Sequence, residues 1–334
     1  MKRPPLSIGL IGAGGITHTH LPAWLELGAS VTVFSQDGAA ELAAKYGVSW
    51  VESLAELLAN CDIVDVCTPT PTHRGYAEAA LLAGKHVVCE KPIALTRADA
   101  DAVAALAAEV GRQAFPAHVV RFFPEYARAK SAVEEGKIGS PAISRFSRIG
   151  EYPTWSAWFG DDHQSGGIVM DQMIHDLDIA RWISGEVTDV YAVKSVSVSA
   201  AEPCVTAQVT LTHEGGALSY VSGVWGAPGT TFATSFSIAG SQGVLRHDSR
   251  TDASLRLDSG PREKGGGMRP DTSLGESPYL TQLREFANAF AGGEPPRVSL
   301  EDGARAVELA VAANESIATG ASVSVVRTVA GIAA

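Results

Sequence analysis

Leu6-Ser7-Ile8-Gly9-Leu10-Ile11-Gly12-Ala13-Gly14-Gly15-Ile16-Thr17 is the stretch that decides the fold. Its first six residues are a short apolar run, the pattern of a strand buried on both faces. A glycine cluster ends the run, and residues 16–27 then continue as a helix. Strand, glycine turn and helix in that order form a phosphate site. Glycines let the backbone approach a pyrophosphate, and the helix N-terminus offers N–H groups to it. Gly12, Gly14, Gly15 and Ile16 are the residues expected there. Thr17 occupies the third position of G-x-G-x-x-G, where a small residue normally allows tight helix–sheet packing, so looser packing is expected at that point.

Outward from this turn the same alternation repeats. Strands are expected at residues 31–34, 48–51, 63–67, 86–89 and 114–120. Helices are expected at 39–46, 54–60, 72–83 and 97–111. Strands alternating with helices on short links give βαβ units and a parallel sheet. The second strand ends at Phe34-Ser35-Gln36-Asp37. Ser35 stands where an acidic residue usually holds the ribose 2′-hydroxyl. Asp37 follows two residues later, with no adjacent Arg or Lys to pair with a 2′-phosphate. Ser35, Gln36 and Asp37 are therefore read as the adenosine-ribose contact, with NAD favoured over NADP.

The pattern changes near Phe122–Pro124. A helix is expected at 125–135, then β-branched, alternating stretches at 142–148, 187–198, 205–212, 217–225 and 231–239. A helix at 168–184 interrupts them. Residues 260–275 read as a polar, glycine-rich loop, 279–291 and 301–319 as helices, and 323–326 as a last strand. The resulting expectation is α/β: a Rossmann domain over residues 1–122, then an α/β domain over 123–334 with an open, mainly antiparallel sheet.

The 334 residues carry a formal net charge of −11, which argues against nucleic acid as a partner. Cys61, Cys67, Cys89 and Cys204 form no C-x-x-C pair and sit in apolar surroundings, so a reduced, cytoplasmic protein is expected. The apolar run 6–11 is too short for a secretory leader, and no stretch approaches the ~18–20 apolar residues of a membrane span. No G-x-S-x-G occurs. His18 and His20 diverge at i, i+2 on a helix, and His175-Asp176-x-Asp178 has no second ligand cluster, so no metal is expected.

Further motifs are more specific. Val87-Val88-Cys89-Glu90-Lys91-Pro92 places E-K-P at a strand end, after the proline-rich turn Thr68-Pro69-Thr70-Pro71-Thr72-His73. Gly166-Gly167-x-x-x-Asp171-x-x-x-His175-x-x-Asp178 follows in the second half. Together with His20-Leu21-Pro22-Ala23, Arg121-Phe122-Phe123-Pro124, Tyr279…Phe286…Phe290 and Asn314-Glu315-Ser316, these resemble the glucose–fructose oxidoreductase / inositol dehydrogenase / rhizopine catabolism (Gfo/Idh/MocA) family. Met173 replaces one glycine of the family pattern G-G-x-x-x-D-x-G-x-H-x-x-D.

The resemblance implies an NAD(P)-dependent dehydrogenase or reductase of sugars, inositols, polyols or their keto forms. It leaves open a dinucleotide-sensing regulatory protein, and NAD-dependent glycoside cleavage. Thr68, Pro69, Thr70 and His73 are expected to border the cofactor, with Glu90 and Lys91 near the nicotinamide. Lys91, Asp171 and His175 are the expected catalytic set. His175 is the base, since its ordinary pKa of about 6.5 lies near working pH. Asp171 shares its helix face at i, i+4. Lys91 brings an ammonium to the reacting oxygen. Asp178 either orients His175 or pairs elsewhere. Arg121 is expected to hold substrate, and Trp158, with Trp155 and Phe159, either walls the substrate pocket or packs structurally. Valine, tyrosine and tryptophan on both faces of strands 187–198 and 217–225 suggest a homodimer or homotetramer through the second sheet.

Overall fold

A computed structural model describes residues 6–197, 203–251 and 276–325. By internal contacts the chain forms two compact units. The first comprises Met1–Pro124 and Thr272–Val307, and the second comprises Glu125–Asp271 and Glu308–Ala334.

The first unit holds a six-stranded parallel sheet in the order β3-β2-β1-β4-β5-β6. Its strands are β1 (Ser7–Ile11), β2 (Ser30–Phe34), β3 (Ser49–Trp50), β4 (Ile63–Val66), β5 (His86–Glu90) and β6 (Ala114–Ala117). Helices α1 (Thr17–Glu26), α2 (Ala39–Tyr46), α3 (Leu54–Ala59), α4 (His73–Leu82) and α5 (Arg97–Glu109) link them. Strand order reverses beside β1, the switch point at which open α/β sheets bind ligands. Local chemistry sets the helix starts. Ser53 accepts from Glu56 N and Thr96 from Asp99 N, each satisfying an orphan amide of the first turn. The sixth strand is shorter than expected. After Ala117 the chain tightens into a 3-10 turn, Val119–Phe122.

The division of the chain is not at one point, as a single boundary after residue 122 would have it. Helix α9 (Pro278–Phe290) belongs to the first unit, because Leu280, Leu283 and Phe286 enter its core with Phe115 and Phe122. The Phe115 ring lies 5.1 Å from Phe286 and 4.9 Å from Phe290. Helix α10 (Leu300–Thr319) contains the change of unit after Val307.

The second unit holds a seven-stranded sheet in the order β12-β11-β7-β10-β9-β8-β13. Its strands are β7 (Pro141–Glu151), β8 (Val187–Ser197), β9 (Cys204–His213), β10 (Leu218–Gly226), β11 (Ala233–Gly240), β12 (Val244–Asp248) and β13 (Val323–Ser324). Only β7 and β10 pair parallel. Strand β12 escapes the sequence pattern because Arg246, His247 and Asp248 break apolar alternation. Helices α6 (Pro124–Glu134), α7 (Asp162–Ser165) and α8 (Ile174–Ser184) accompany this sheet. The polar stretch 260–275 lies outside the described residues, as do residues 198 and 326 of two expected strands.

One face of the second sheet is buried by alternation, through Val190, Val209, Val221 and Phe236. The other face is less apolar than the sequence suggested. Tyr220, Ser222, Thr210 and Gln208 stand there half-buried, with Tyr191 and Val193 exposed, while Trp225 is buried on the inner side.

Candidate active site

In the first unit β1 delivers the chain into the glycine turn. Gly12 has φ +113°, and a Cβ there would sit 2.4 Å from the Cys67 carbonyl oxygen. Only glycine fits this position. Gly14 and Gly15 have nothing within 4 Å of the Cβ each lacks, so the turn is open where a phosphate would approach. Thr17 does not loosen the packing. It is fully buried, and its hydroxyl donates to Gly14 O at 2.5 Å, bracing the turn from the first residue of α1. Gly38, left-handed at φ +75°, lies with its Cβ position 3.4 Å from Ala13. The turn Ser35-Gln36-Asp37 therefore runs beside the glycine turn, with Gln36 and Asp37 exposed.

The loops after β4 and β5 are joined by His73. Its Nε2 lies 2.7 Å from Thr68 O and its Nδ1 2.7 Å from Pro92 O, and the ring is buried. Burial is the leading influence and pushes its pKa down, while the two carbonyls push it up. A neutral ring donates to only one of these carbonyls, and packing holds the other loop against it; Thr70 lies buried beside it. Thr72 reinforces the first loop by donating to Pro69 O and Thr68 Oγ1. Glu90 ends β5, and its Oε2 accepts the Lys91 backbone N–H at 3.1 Å. Lys91 itself is half-buried and precedes Pro92 through a cis peptide.

Behind Glu90 lies a cluster that the sequence did not announce. His20 is fully buried, with Nδ1 2.9 Å from Asp65 Oδ2 and Nε2 3.0 Å from Glu90 Oε1. Trp24 Nε1 donates to the same Asp65 oxygen at 2.7 Å, and Cys67 Sγ lies 3.5 Å from Asp65 Oδ1. Burial is the largest single influence and works against charge on the His20 ring, but the charges and hydrogen bonds of Asp65 and Cys67 together outweigh it and hold the pKa well above the usual value. Burial pushes the Cys67 thiol up to about 12. Donor atoms of His20, Asp65 and Cys67 lie within 4.8 Å of one another, close enough to hold an ion. They are committed to each other and to Trp24 instead, with the thiol protonated.

Arg121, expected to hold substrate, is engaged by neighbours within the first unit. It is 1% exposed, its guanidinium donates to Arg297 O at 2.8 Å, and it pairs with Asp302 at 3.1 Å. Arg297 donates back to Arg121 O and lies over the Phe122 ring. Arg121 thus fastens the start of α10 to the 3-10 turn.

In the second unit Asp171 lies in a π-helical turn, Val169–Met173, which runs directly into α8. Such turns concentrate at functional sites. Asp171 is 3% exposed and His175 half-buried. Two contacts fix this helix start to β7. Arg148 makes a bidentate pair with Asp176 at 2.8 and 3.0 Å, both groups being buried, and Gln172 Nε2 donates to Arg148 O. Met173, the departure from the family pattern, is met by Gly223 of β10. A Cβ on that glycine would stand 2.5 Å from Met173 Cγ. Asp178 is buried. Trp158 is half-buried and stacks on Phe159 with ring centroids 3.9 Å apart, and Trp155 meets Phe159 edge-on at 5.5 Å.

A Rossmann unit with an open glycine turn, followed in one chain by a mixed-sheet unit carrying an Asp–His pair on a helix, defines a dinucleotide-dependent oxidoreductase. The oxidoreductase family with an NAD-binding Rossmann fold matches residues 6–118, and the GFO/IDH/MocA C-terminal domain matches 126–246. Myo-inositol 2-dehydrogenase of Thermotoga maritima is 31% identical over 329 residues, covering 93% of this chain and 96% of that protein. Inositol 2-dehydrogenase of Rhizobium meliloti is 29% identical, covering 95% and 98%. Among solved structures, a probable dehydrogenase from Thermotoga maritima aligns with TM-score 0.80 at 32% identity, covering 96% of this chain and 99% of that one. GenD2 from gentamicin A biosynthesis, in complex with NAD, aligns at 0.86 and 23% identity over 98% of each chain, a likeness of fold. The chain belongs to the Gfo/Idh/MocA family. It is an NAD-dependent oxidoreductase.

Proposed function

We propose that the protein moves a hydride between NAD and a secondary alcohol, or its ketone, on an inositol, another polyol or a sugar. The match to a myo-inositol 2-dehydrogenase carries this reading, because it covers 93% of this chain and 96% of that protein and so spans both units.

The residues that would hold the dinucleotide are Gly12, Gly14, Gly15 and Ile16 at the pyrophosphate, and Ser35, Gln36 and Asp37 at the ribose. Thr68, Pro69, Thr70 and His73 would border the cofactor, with Glu90 and Lys91 near the nicotinamide. The open turn at Gly14 and Gly15 fits such a group. When bound, it supplies the hydride acceptor or donor. The remaining work falls to side chains. Alcohol oxidation releases a hydroxyl proton, which His175 takes up as general base. Asp171, one turn earlier, hydrogen-bonds the substrate or steadies the imidazole. The Lys91 ammonium stabilises negative charge on the reacting oxygen. Trp158 and its stacked neighbours offer aromatic faces suited to the C–H faces of a sugar ring. Asp37 repels a 2′-phosphate, which favours NAD over NADP.

The four cysteines are free, in keeping with a reducing, cytoplasmic setting, and no described helix is long and apolar enough to cross a membrane. Assembly as a homodimer or homotetramer would use the half-polar outer face of the second sheet, where Tyr191 is 44% and Val193 48% exposed.

The test is a screen of inositols, sugars and their keto forms for a change in NADH absorbance. Turnover of at least one polyol or sugar is expected. No turnover across all three classes, with NAD bound, would refute the substrate class.

A further inference from the structure

The catalytic account leaves a buried, charge-bearing cluster unused. His20 comes from α1, Asp65 and Cys67 from β4 and the residue after it, Glu90 from β5, and Trp24 lies one turn beyond His20. Both ring nitrogens of His20 face carboxylate oxygens, at 2.9 and 3.0 Å. Two such contacts cannot both be hydrogen bonds unless the three groups share one additional proton. That proton resides on the ring. Asp65 already accepts from Trp24 and lies within reach of the Cys67 thiol, and Glu90 accepts from Lys91 N, so each carboxyl is occupied as an ionised acceptor. An imidazolium between two carboxylates is then the arrangement that satisfies every group.

We propose that His20 is a positioning residue for Lys91: bridging Asp65 and Glu90, it fixes the Glu90 carboxylate that receives the Lys91 backbone N–H, and so sets where the catalytic lysine leaves β5. Asp65 is 0% exposed, and the cluster ends there, so it is a strut and not a path for protons to solvent. Cys67 and Cys89, both buried and both held as thiols by burial, also face it, and Tyr279 of α9 packs at 5.9 Å from the ring. Loss of the ring proton turns one of the two contacts into lone pair against lone pair. Glu90 is then released, and the Lys91 backbone with it.

The inference rests on Lys91 acting in hydride transfer, and its test separates the two. Ring-labelled nitrogen-15 spectra of histidine, taken on the wild-type protein without cofactor, should show both His20 nitrogens protonated at about pH 8. A singly protonated ring at that pH overturns the proposal. His20→Gln retains a donor to one carboxylate but not the charge. It should slow hydride transfer about 10- to 100-fold, shift the alkaline limb of the pH–rate profile, and leave NAD affinity by calorimetry unchanged. Glu90→Gln should slow hydride transfer and shift the alkaline limb in the same way, and the double variant should be no slower than either alone. A wild-type rate and pH profile in His20→Gln, or additive losses in the double variant, overturns it. If His20→Gln does not fold by circular dichroism, Glu90→Gln and the wild-type spectra decide. A wild-type protein inactive on every polyol and sugar would sink the substrate reading, while the spectra would still decide the state of His20.

Discussion

At the scale of single residues, Lys91, Asp171 and His175 are the residues we propose for the chemistry, and each was legible for a reason. E-K-P at a strand end and D-x-x-x-H on a helix are local patterns, readable without knowing what packs behind them. Loss of a positioned general base typically costs about 10²–10⁴-fold in rate. His175→Ala and Lys91→Ala are each expected to lower kcat by that order while NAD affinity, measured by calorimetry, stays nearly unchanged. His20, Asp65 and Arg121 were not legible in the same way. The partners of His20 lie 45 and 70 residues along the chain, and Arg121 is consumed by residues 176 and more positions away. His20 also couples stability to pH. Its folded pKa is raised above the ordinary 6.5, so its contribution is full below that value and is lost as pH rises through the folded value. Denaturant titrations of wild type and His20→Gln should therefore differ most just below pH 6.5 and converge on the alkaline side.

At the scale of elements, helix α8, between β7 and β8, begins wide and is fastened twice. The π turn at Val169–Met173 was invisible to a reading based on helical spacing, because a single wide turn barely disturbs an apolar period. What seats it comes from other strands: Arg148 of β7 holds Asp176, and Gly223 of β10 makes room for Met173. Asp176→Ala strands a buried guanidinium and should cost about 3–5 kcal/mol in unfolding free energy. Gly223→Ala forces a methyl into the Met173 side chain. It should cost about 1–3 kcal/mol, and Met173→Gly in the same chain should recover part of that loss by thermal melting. Recovery absent from the double variant would contradict the pairing. Elsewhere the strands and helices of the parallel sheet followed their apolar periods closely, whereas β12, with Arg246-His247-Asp248 at its end, offered no such period.

At the scale of the whole molecule, the order of elements along the chain announced a parallel sheet and then a mainly antiparallel one, and both are present, the second with one parallel pair among its described strands. The grouping of α9 with the first unit was not readable, since Phe286 and Phe290 look like any apolar helix face until Phe115 is seen beside them. Two further outcomes belong to this scale. NAD should bind more tightly than NADP in calorimetric titrations, and Asp37→Ala should narrow the gap. Light scattering should give a dimer or tetramer at micromolar protein. The account as a whole stands on one claim, that hydride moves between NAD and a polyol or sugar under the control of Lys91 and His175. Stopped-flow measurement of NADH formation in a single turnover, with the best substrate and saturating NAD, tests it most directly. The expected result is a burst in the wild type that slows about 10²–10⁴-fold in both Lys91→Ala and His175→Ala with NAD still bound. Equal bursts in all three proteins would contradict the assigned site, and NAD binding with no burst from any polyol or sugar would favour a dinucleotide sensor of the same fold.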